Sequence, residues 1–482
     1  MNNNNSTSDQ SLTVKNLVEA LPEDINGSTD VINPLQDLLA GLESKNVPTK
    51  SLMRMWILSS LQAKVAIGYL AYGLRKNFVS KSEQEMMLNE THTKAALKII
   101  STMGYMRGAV MKVGQLLANL PTLVPDQIAD VLASLHFEAP PMHYGLIRET
   151  LLDELGSEPE EIFDSFDRKA FAAASLGQVH KARLKSGEEV AVKIQYPNIA
   201  RTISADLRNL RAVMQPMRFS ADWQSIRDNL EDLETMLNME ADYRKEAESC
   251  REAAPYFAED EDIVLPRVFD EYSTGKVLTM EFLPGMHLKE YIETDPSQDE
   301  RDRYAELLTL LSSRLYFKGR MFFADPNPGN FIFMENGRLG LIDYGCIRRI
   351  TDAEWDLQMD AWRAGLNDDP EALDKAIALH CLFDSPSAME AERLKLLRAH
   401  LRWQLRPVLY DGQFDFGDKN FFREGVELHM ALFRKRFTRG APINIWSSRF
   451  IFGFRALVYK LKGKVNLKKI TENEMRDLPE LA

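Results

Sequence analysis

The stretch from Asp325 to Gly345 reads D-P-N-P-G-N-F-I-F-M-E-N-G-R-L-G-L-I-D-Y-G and constrains the chain more than any other. Two apolar runs, Phe331–Met334 and Leu339–Ile342, flank Glu335-Asn336-Gly337. Apolar strands around an Asn-Gly turn predict a β-hairpin. Asn330 stands just before the first strand and Asp343 just after the second, so the hairpin brings them together. With Asp325 five residues upstream of Asn330, a carboxamide and two carboxylates can converge. Such oxygen donors suit Mg²⁺ held between protein and phosphates.

The spacing D-x-x-x-x-N followed by D-[aromatic]-G is that of the metal-and-base end of a kinase-type phosphoryl-transfer site. An ordinary surface hairpin with solvated acids is the competing reading, so the rest of the chain has to decide.

The 482 residues are enough for two or three packed units, and 45% hydrophobic with 27% charged residues is a globular composition. A net charge of −12 argues against nucleic-acid binding, because no cation excess is present to neutralise phosphates. Cys250, Cys346 and Cys381 lie far apart, in neither a disulfide nor a zinc pattern, which fits a reducing, cytoplasmic compartment. The asparagine-rich start has no secretory pattern, and residues 1–50 read as a loose polar tail. No uncharged apolar stretch is long enough to span a bilayer: Met53–Leu74 and Ile443–Leu461 are both interrupted by charges.

Residues 51–165 read as a helical extension. In Lys94–Leu120, Ile99, Met103, Met106, Val110, Val113 and Leu117 form one helix face, ended by Pro121. Residues 166–285 then alternate as a small β-rich lobe. Its pieces are strands at Gln178–Leu184 and Glu189–Gln195 around Ser186-Gly187, a long helix over roughly Ile226–Ala253, and strands at Ile263–Val268 and Lys276–Phe282. Residues 286–482 read as helical apart from the hairpin. The predicted class is α+β, bilobal.

Lys193, on a strand face with Ala191 and Gln195, is placed to reach phosphates and needs an acid on the next helix. Glu246 is the candidate, sharing a face with Asp242 four residues earlier. Glu240 continues the stripe Leu230, Leu233, Leu237, so its carboxylate points inward and needs a partner. Ala172-Ala173-Ala174-Ser175-Leu176-Gly177-Gln178 stands where a nucleotide-covering loop is normally glycine-rich. Each Cβ there restricts φ and pushes phosphates away.

In one order, these pieces resemble the UbiB-type atypical kinases, which include the coenzyme Q biosynthesis ATPases. The likeness runs from about residue 90 to 350, and more weakly to about 465. Its carriers are Lys112-Val113-Gly114-Gln115, Ala172–Ser175 with Gly177-Gln178, Val192-Lys193-Ile194, Glu240-Ala241-Asp242, Asp325–Asn330 and Asp343-Tyr344-Gly345. The resemblance implies a kinase-like fold binding ATP or ADP with Mg²⁺ (or Mn²⁺). It implies Asp325 as catalytic aspartate, Lys193 on the phosphates paired with Glu246, and Asn330 and Asp343 on the metal. Nucleotide contacts would come from Ala172, Ala173, Ala174, Ser175, Gly177, Gln178 and Glu281. Lys112, Gly114 and Gln115 would cover the peptide site near Glu240 and Asp242. It further implies work in ubiquinone metabolism, with a lipid or quinone precursor and quinone-biosynthesis proteins as partners.

Three positions depart from the family pattern. Phe323 and Asn327 stand where histidines are usual, and Tyr344 stands for the phenylalanine of D-F-G. No long activation segment follows Gly345, so a small-molecule acceptor or ATP hydrolysis is favoured over protein phosphorylation. A nucleotide-gated scaffold and a small-molecule phosphotransferase are the alternatives. Residues 443–469 carry seven basic residues and no acid, with Trp446, Phe450, Phe454 and Leu457 or Leu461 near helical spacing. This is either a core helix with a basic wet face or a peripheral contact with an anionic inner-membrane face.

Overall fold

The computed structural model describes residues 142–476 except 175, 198, 325, 436, 439 and most positions from 200 to 236, together with Glu83 and Leu478. The helical expectations for Met53–Leu74 and Lys94–Leu120 fall outside these residues. Internal packing separates two units. One comprises His143–Ala172, Val179–Gln195 and Met239–Ala482. The other includes Ala173–Gln178.

The first half of the described chain runs α1 (Tyr144–Leu155), α2 (Pro159–Ile162), β1 (Phe163–Phe166), β2 (Ala172–Ala174), β3 (Gly177–Leu184), β4 (Glu189–Gln195), α3 (Tyr243–Ala253), β5 (Ile263–Val264) and β6 (Val277–Glu281). It continues α4 (Leu288–Glu293), α5 (Gln298–Phe317), β7 (Met321–Phe323), β8 (Phe331–Phe333), β9 (Leu339–Leu341) and β10 (Ile347–Arg349). Last come α6 (Asp352–Leu366), α7 (Pro370–His380), α8 (Ala391–Leu409), β11 (Phe414–Asp415), α9 (Lys419–Arg434), α10 (Ile443–Leu461), β12 (Lys464–Val465) and α11 (Leu467–Met475).

The main sheet has the order β1-β3-β4-β6. The turn between β3 and β4 uses Gly187 at φ +103°, a conformation an L side chain resists. In β4, Val190, Val192 and Ile194 are fully buried. Lys193 and Gln195 on the opposite face are buried too.

The predicted helix over Ile226–Ala253 is interrupted. Leu237–Glu240 are helical, the chain breaks at Ala241-Asp242, and α3 restarts with Asp242 as its N-cap, accepting from Arg244 N at 3.2 Å. An aspartate competes with the backbone for hydrogen bonds, which is why it starts a helix better than it continues one. The segment Ile263–Val268 also departs from expectation. Its β5 pairs in parallel with β9 of the hairpin, and only Val268 bridges back to Met280 of the main sheet.

The region after residue 286 holds short strands that periodicity missed: β7 pairs with β10, and β11 with β12. Each is two or three residues long, too short for a period of two to register. The helices begin where their caps dictate. Ser297 with Glu300 starts α5, and Thr351 with Glu354 starts α6, both as capping boxes.

The apolar stripe of α10 is core. Trp446, Phe450, Phe454, Leu457 and Leu461 are all buried, and α10 packs on α5 and β7. Of the two readings of 443–469 this is the core helix, and its apolar face, already buried against protein, is closed to lipid. Its arginines also turn inward: Arg449 donates to the Ala324 carbonyl at 3.0 Å and Arg455 to the Gln404 carbonyl. Among the described residues no helix is long and apolar enough to cross a membrane.

Candidate active site

β4 carries Lys193 into the interior, where two acids meet it. Its Nζ lies 2.8 and 2.9 Å from the two carboxylate oxygens of Glu246 and 2.9 Å from Asp343 Oδ2. The Lys193 and Glu246 side chains are 7% and 1% exposed, while Asp343 keeps 29%. The Tyr243 ring lies beneath the ammonium at 5.1 Å, adding a cation–π contact. Burial alone would push the lysine pKa down, but Asp343 and Glu246 overcome it and hold the ammonium well above its usual range. Burial pushes the Glu246 carboxyl up against the pull of Lys193. One ammonium thus serves two carboxylates, of which Asp343 is the more open.

Asp242 and Glu246 do not share the inward face. As N-cap, Asp242 turns to Arg244, whose Nε lies 3.0 Å away, while Glu246 is buried one turn on. Glu240 is buried, and a Cβ on Gly345 would stand 3.4 Å from its Cγ. That close approach sets the acid beside the D-Y-G turn.

The hairpin forms as its spacing predicts. β8 and β9 are antiparallel, Phe331 opposite Leu341, and the turn places Gly337 at φ +73°. Ile342 N donates to Asn330 O at 3.0 Å, so Asn330 and Asp343 end the two strands side by side. Asn330 closes a short 3-10 turn, Pro328–Asn330, capped by Asn327, whose Oδ1 accepts from Gly329 N at 3.0 Å. Asp343 Oδ1 accepts from Gly345 N at 2.9 Å, which aims Oδ2 at Lys193.

The departures from the family pattern have structural uses. Asn327 caps the turn. Phe323 is buried between Phe331 and Phe454, with ring centroids at 5.9 and 6.0 Å. The buried Tyr344 hydroxyl donates to Leu341 O at 2.9 Å. Burial raises the Cys250 thiol to about 12, and Cys250 Sγ donates to Pro266 O.

Of the other candidates, Gln178 is buried and its Oε1 accepts from Met142 N at 2.7 Å. Gly177 is also buried, whereas Ala173 is exposed and Ala172 and Ala174 half-buried. Glu281 is exposed at the end of β6, its carboxylate accepting from Arg267 N at 3.3 Å. Ser175, Asp325, Lys112, Gly114 and Gln115 lie outside the described residues. Tyr243 was missed by sequence reasoning, because an aromatic following an acid carries no spacing signal of its own.

The donor set fits Mg²⁺ or Mn²⁺ bound jointly with phosphates. Asn330 and Asp343 bring hard oxygen donors to the adjoining ends of β8 and β9. Among the described residues no cluster of three or more His, Cys, Asp or Glu forms a self-sufficient metal site.

The model of the ABC1 atypical kinase-like domain matches residues 134–377. The chain is 30% identical over 400 residues to the atypical kinase COQ8B, mitochondrial, of Rattus norvegicus, covering 81% of this chain and 74% of that protein. It is 27% identical over 464 residues to the Danio rerio COQ8B, covering 93% and 73%. The atypical kinase COQ8, mitochondrial, of Schizosaccharomyces pombe is 30% identical over 308 residues, with 63% and 50% covered. Among solved structures, the complex of Rv3197 with erythromycin from Mycobacterium tuberculosis matches with a TM-score of 0.55 and 26% identity, over 84% of this chain and 100% of that one. The fold is α+β and kinase-like.

Proposed function

The chain belongs to the ABC1 atypical kinase-like family, and on that premise we propose that it binds ATP or ADP with Mg²⁺ and acts as a kinase or ATPase in isoprenoid-quinone, that is ubiquinone-type, metabolism. The observation that carries this reading is the buried Lys193 ammonium held between Glu246 and Asp343. A lysine so held is pre-organised to meet phosphate oxygens without reorganising when they arrive. Asn330 and Asp343 would hold the metal, which when bound neutralises phosphate charge. Asp325 would orient the attacking oxygen, and Glu246 keeps Lys193 in place. Ala172–Gln178 and Glu281 would contribute nucleotide contacts, and Lys112, Gly114 and Gln115 would cover the peptide site.

The short path from Gly345 to α6 supports a small-molecule acceptor or hydrolysis, because it leaves no platform for a peptide. The names of the COQ8 relatives support the quinone assignment, and their mitochondrial location supports work at a quinone-bearing membrane. Any membrane contact would use a surface other than the buried stripe of α10. A nucleotide-gated scaffold is the second reading, favoured by Phe323, which brings no polar atom to the approach to the catalytic turn.

The test is nucleotide binding and phosphate release by the purified chain, with and without Mg²⁺ and with phenolic head-group mimics. Asp343→Asn is expected to lose Mg²⁺-dependent binding and to cut turnover by about a hundredfold or more. Undiminished turnover in Asp343→Asn overturns the enzyme reading. Tight binding with no phosphate release under any condition establishes the scaffold.

A further inference from the structure

α10 meets the connection between β7 and β8 at two points one helical turn apart. Arg449 Nε donates to the Ala324 carbonyl at 3.0 Å. Gly453 lies against Pro326 so closely that a Cβ at position 453 would stand 1.9 Å from Pro326 Cγ. Positions i and i+4 share a helix face, and the residues beside them complete the contact. The Phe450 ring packs on Phe322 and the Phe454 ring on Phe323 and Phe331, with centroids at 5.4, 6.0 and 5.9 Å.

Neither residue is what helix stability would select. Glycine in mid-helix is poorer than alanine, and an arginine directed at a buried carbonyl loses hydration. Both make sense through the turn. Ala324 is fully buried, its amide already donating to Cys346 O at 2.9 Å, and its carbonyl receives the guanidinium. Pro326 and Pro328 fix φ on either side of Asn327, and Asn327 accepts from both Gly329 N and Asn330 N at 3.0 Å, so a shift at Pro326 is passed through these bonds toward Asn330.

We propose that Arg449 and Gly453 are positioning residues that seat the Pro326–Asn330 turn and so hold Asn330 beside Asp343. The inference rests on the reading of Asn330 as a metal ligand. The basic, aromatic stretch at the C-terminal end thereby has a use inside the protein: it buttresses the metal end of the site from behind.

The experiment compares Arg449→Gln, Arg449→Lys and Gly453→Ala with the wild type and with the exposed-lysine control Lys460→Gln. The first measurement is amide hydrogen exchange in the peptide covering 321–334. The second is the Mg²⁺ concentration that half-saturates binding of N-methylanthraniloyl-ATP. Arg449→Gln and Gly453→Ala are expected to speed exchange at Gly329 and Asn330, whose amides are bonded within the turn. They should raise the Mg²⁺ requirement about tenfold while leaving metal-free nucleotide affinity unchanged. Arg449→Lys should recover part of both effects. Unchanged exchange in the turn, or exchange raised equally in α6, overturns the proposal. If Gly453→Ala fails to fold, Arg449→Gln decides alone. If the wild type shows no Mg²⁺-dependent binding, it is the functional reading that fails, and the exchange measurement still judges the clamp.

Discussion

The Tyr344 hydroxyl donates to the carbonyl of Leu341, three residues earlier, at 2.9 Å in a fully buried setting. It ties the D-Y-G turn to the strand that precedes it. The Tyr344 amide faces Glu246 Oε1 at 3.4 Å, so one residue links the hairpin to α3. Removing the hydroxyl in Tyr344→Phe should lower stability by about 1 kcal/mol, the net worth of one buried hydrogen bond. It should also weaken Mg²⁺-dependent nucleotide binding, because Asp343 is the neighbouring residue. Urea unfolding and a nucleotide titration check both. Wild-type values in each would mean that the hydroxyl holds nothing.

Lys193 and Glu246 form a buried pair in which neither charge is tolerable alone. Lys193→Met should destabilise by about 3–5 kcal/mol, because Glu246 is left buried without its cation. Lys193→Met combined with Glu246→Leu should cost clearly less than the two single changes added together. Nucleotide binding should be lost in all three. A double-mutant cycle with no coupling energy would contradict the pairing.

Acid sensitivity is expected at Arg314. Its Nη1 lies 2.6 Å from Asp260 Oδ2, and Nη2 lies 3.3 Å from Glu474 Oε1. Burial pushes Asp260 up, but the Arg314 hydrogen bond and the amides of Asp262 and Ile263 outweigh it and hold the carboxyl below its usual range. A depressed folded pKa gives stability that is present above the unfolded value near 3.9 and lost as pH falls through the folded one. Asp260→Asn should therefore cost about 1–3 kcal/mol at neutral pH and flatten the acid limb of the stability profile. Urea midpoints at neutral pH and below pH 4 measure it.

Phe454→Ala separates core from membrane use of α10. Its ring is buried against Phe323, Phe331 and Phe450, so truncation should cost about 3–5 kcal/mol. Sedimentation with anionic liposomes should not change. A variant of wild-type stability that had lost liposome binding would reverse the assignment.

Local chemistry made part of this legible. The hairpin followed from two apolar runs and an Asn-Gly turn, signals a few residues long. The β3–β4 pair followed in the same way. The interruption before α3 did not, because the stripe of Leu233, Leu237 and Glu240 continues up to the break while Asp242 ends it by capping. The destination of Ile263–Val268 was hidden as well, since a two-residue strand carries no mark of which sheet it joins.

What the sequence determined by itself is the inventory: an oxygen-donor turn, a strand lysine, a helix carboxylate, and an order of motifs specific enough to indicate the family. Tertiary structure decided which groups share charge and which surfaces remain free. Lys193, Glu246 and Asp343 are separated by 53 and 150 positions along the chain in their two contacts, and only packing brings them within 3 Å. The same packing turned the stripe of α10 inward. Amphipathic spacing states that a face must be buried, and the physical choice between protein and lipid belongs to whichever surface the rest of the fold presents.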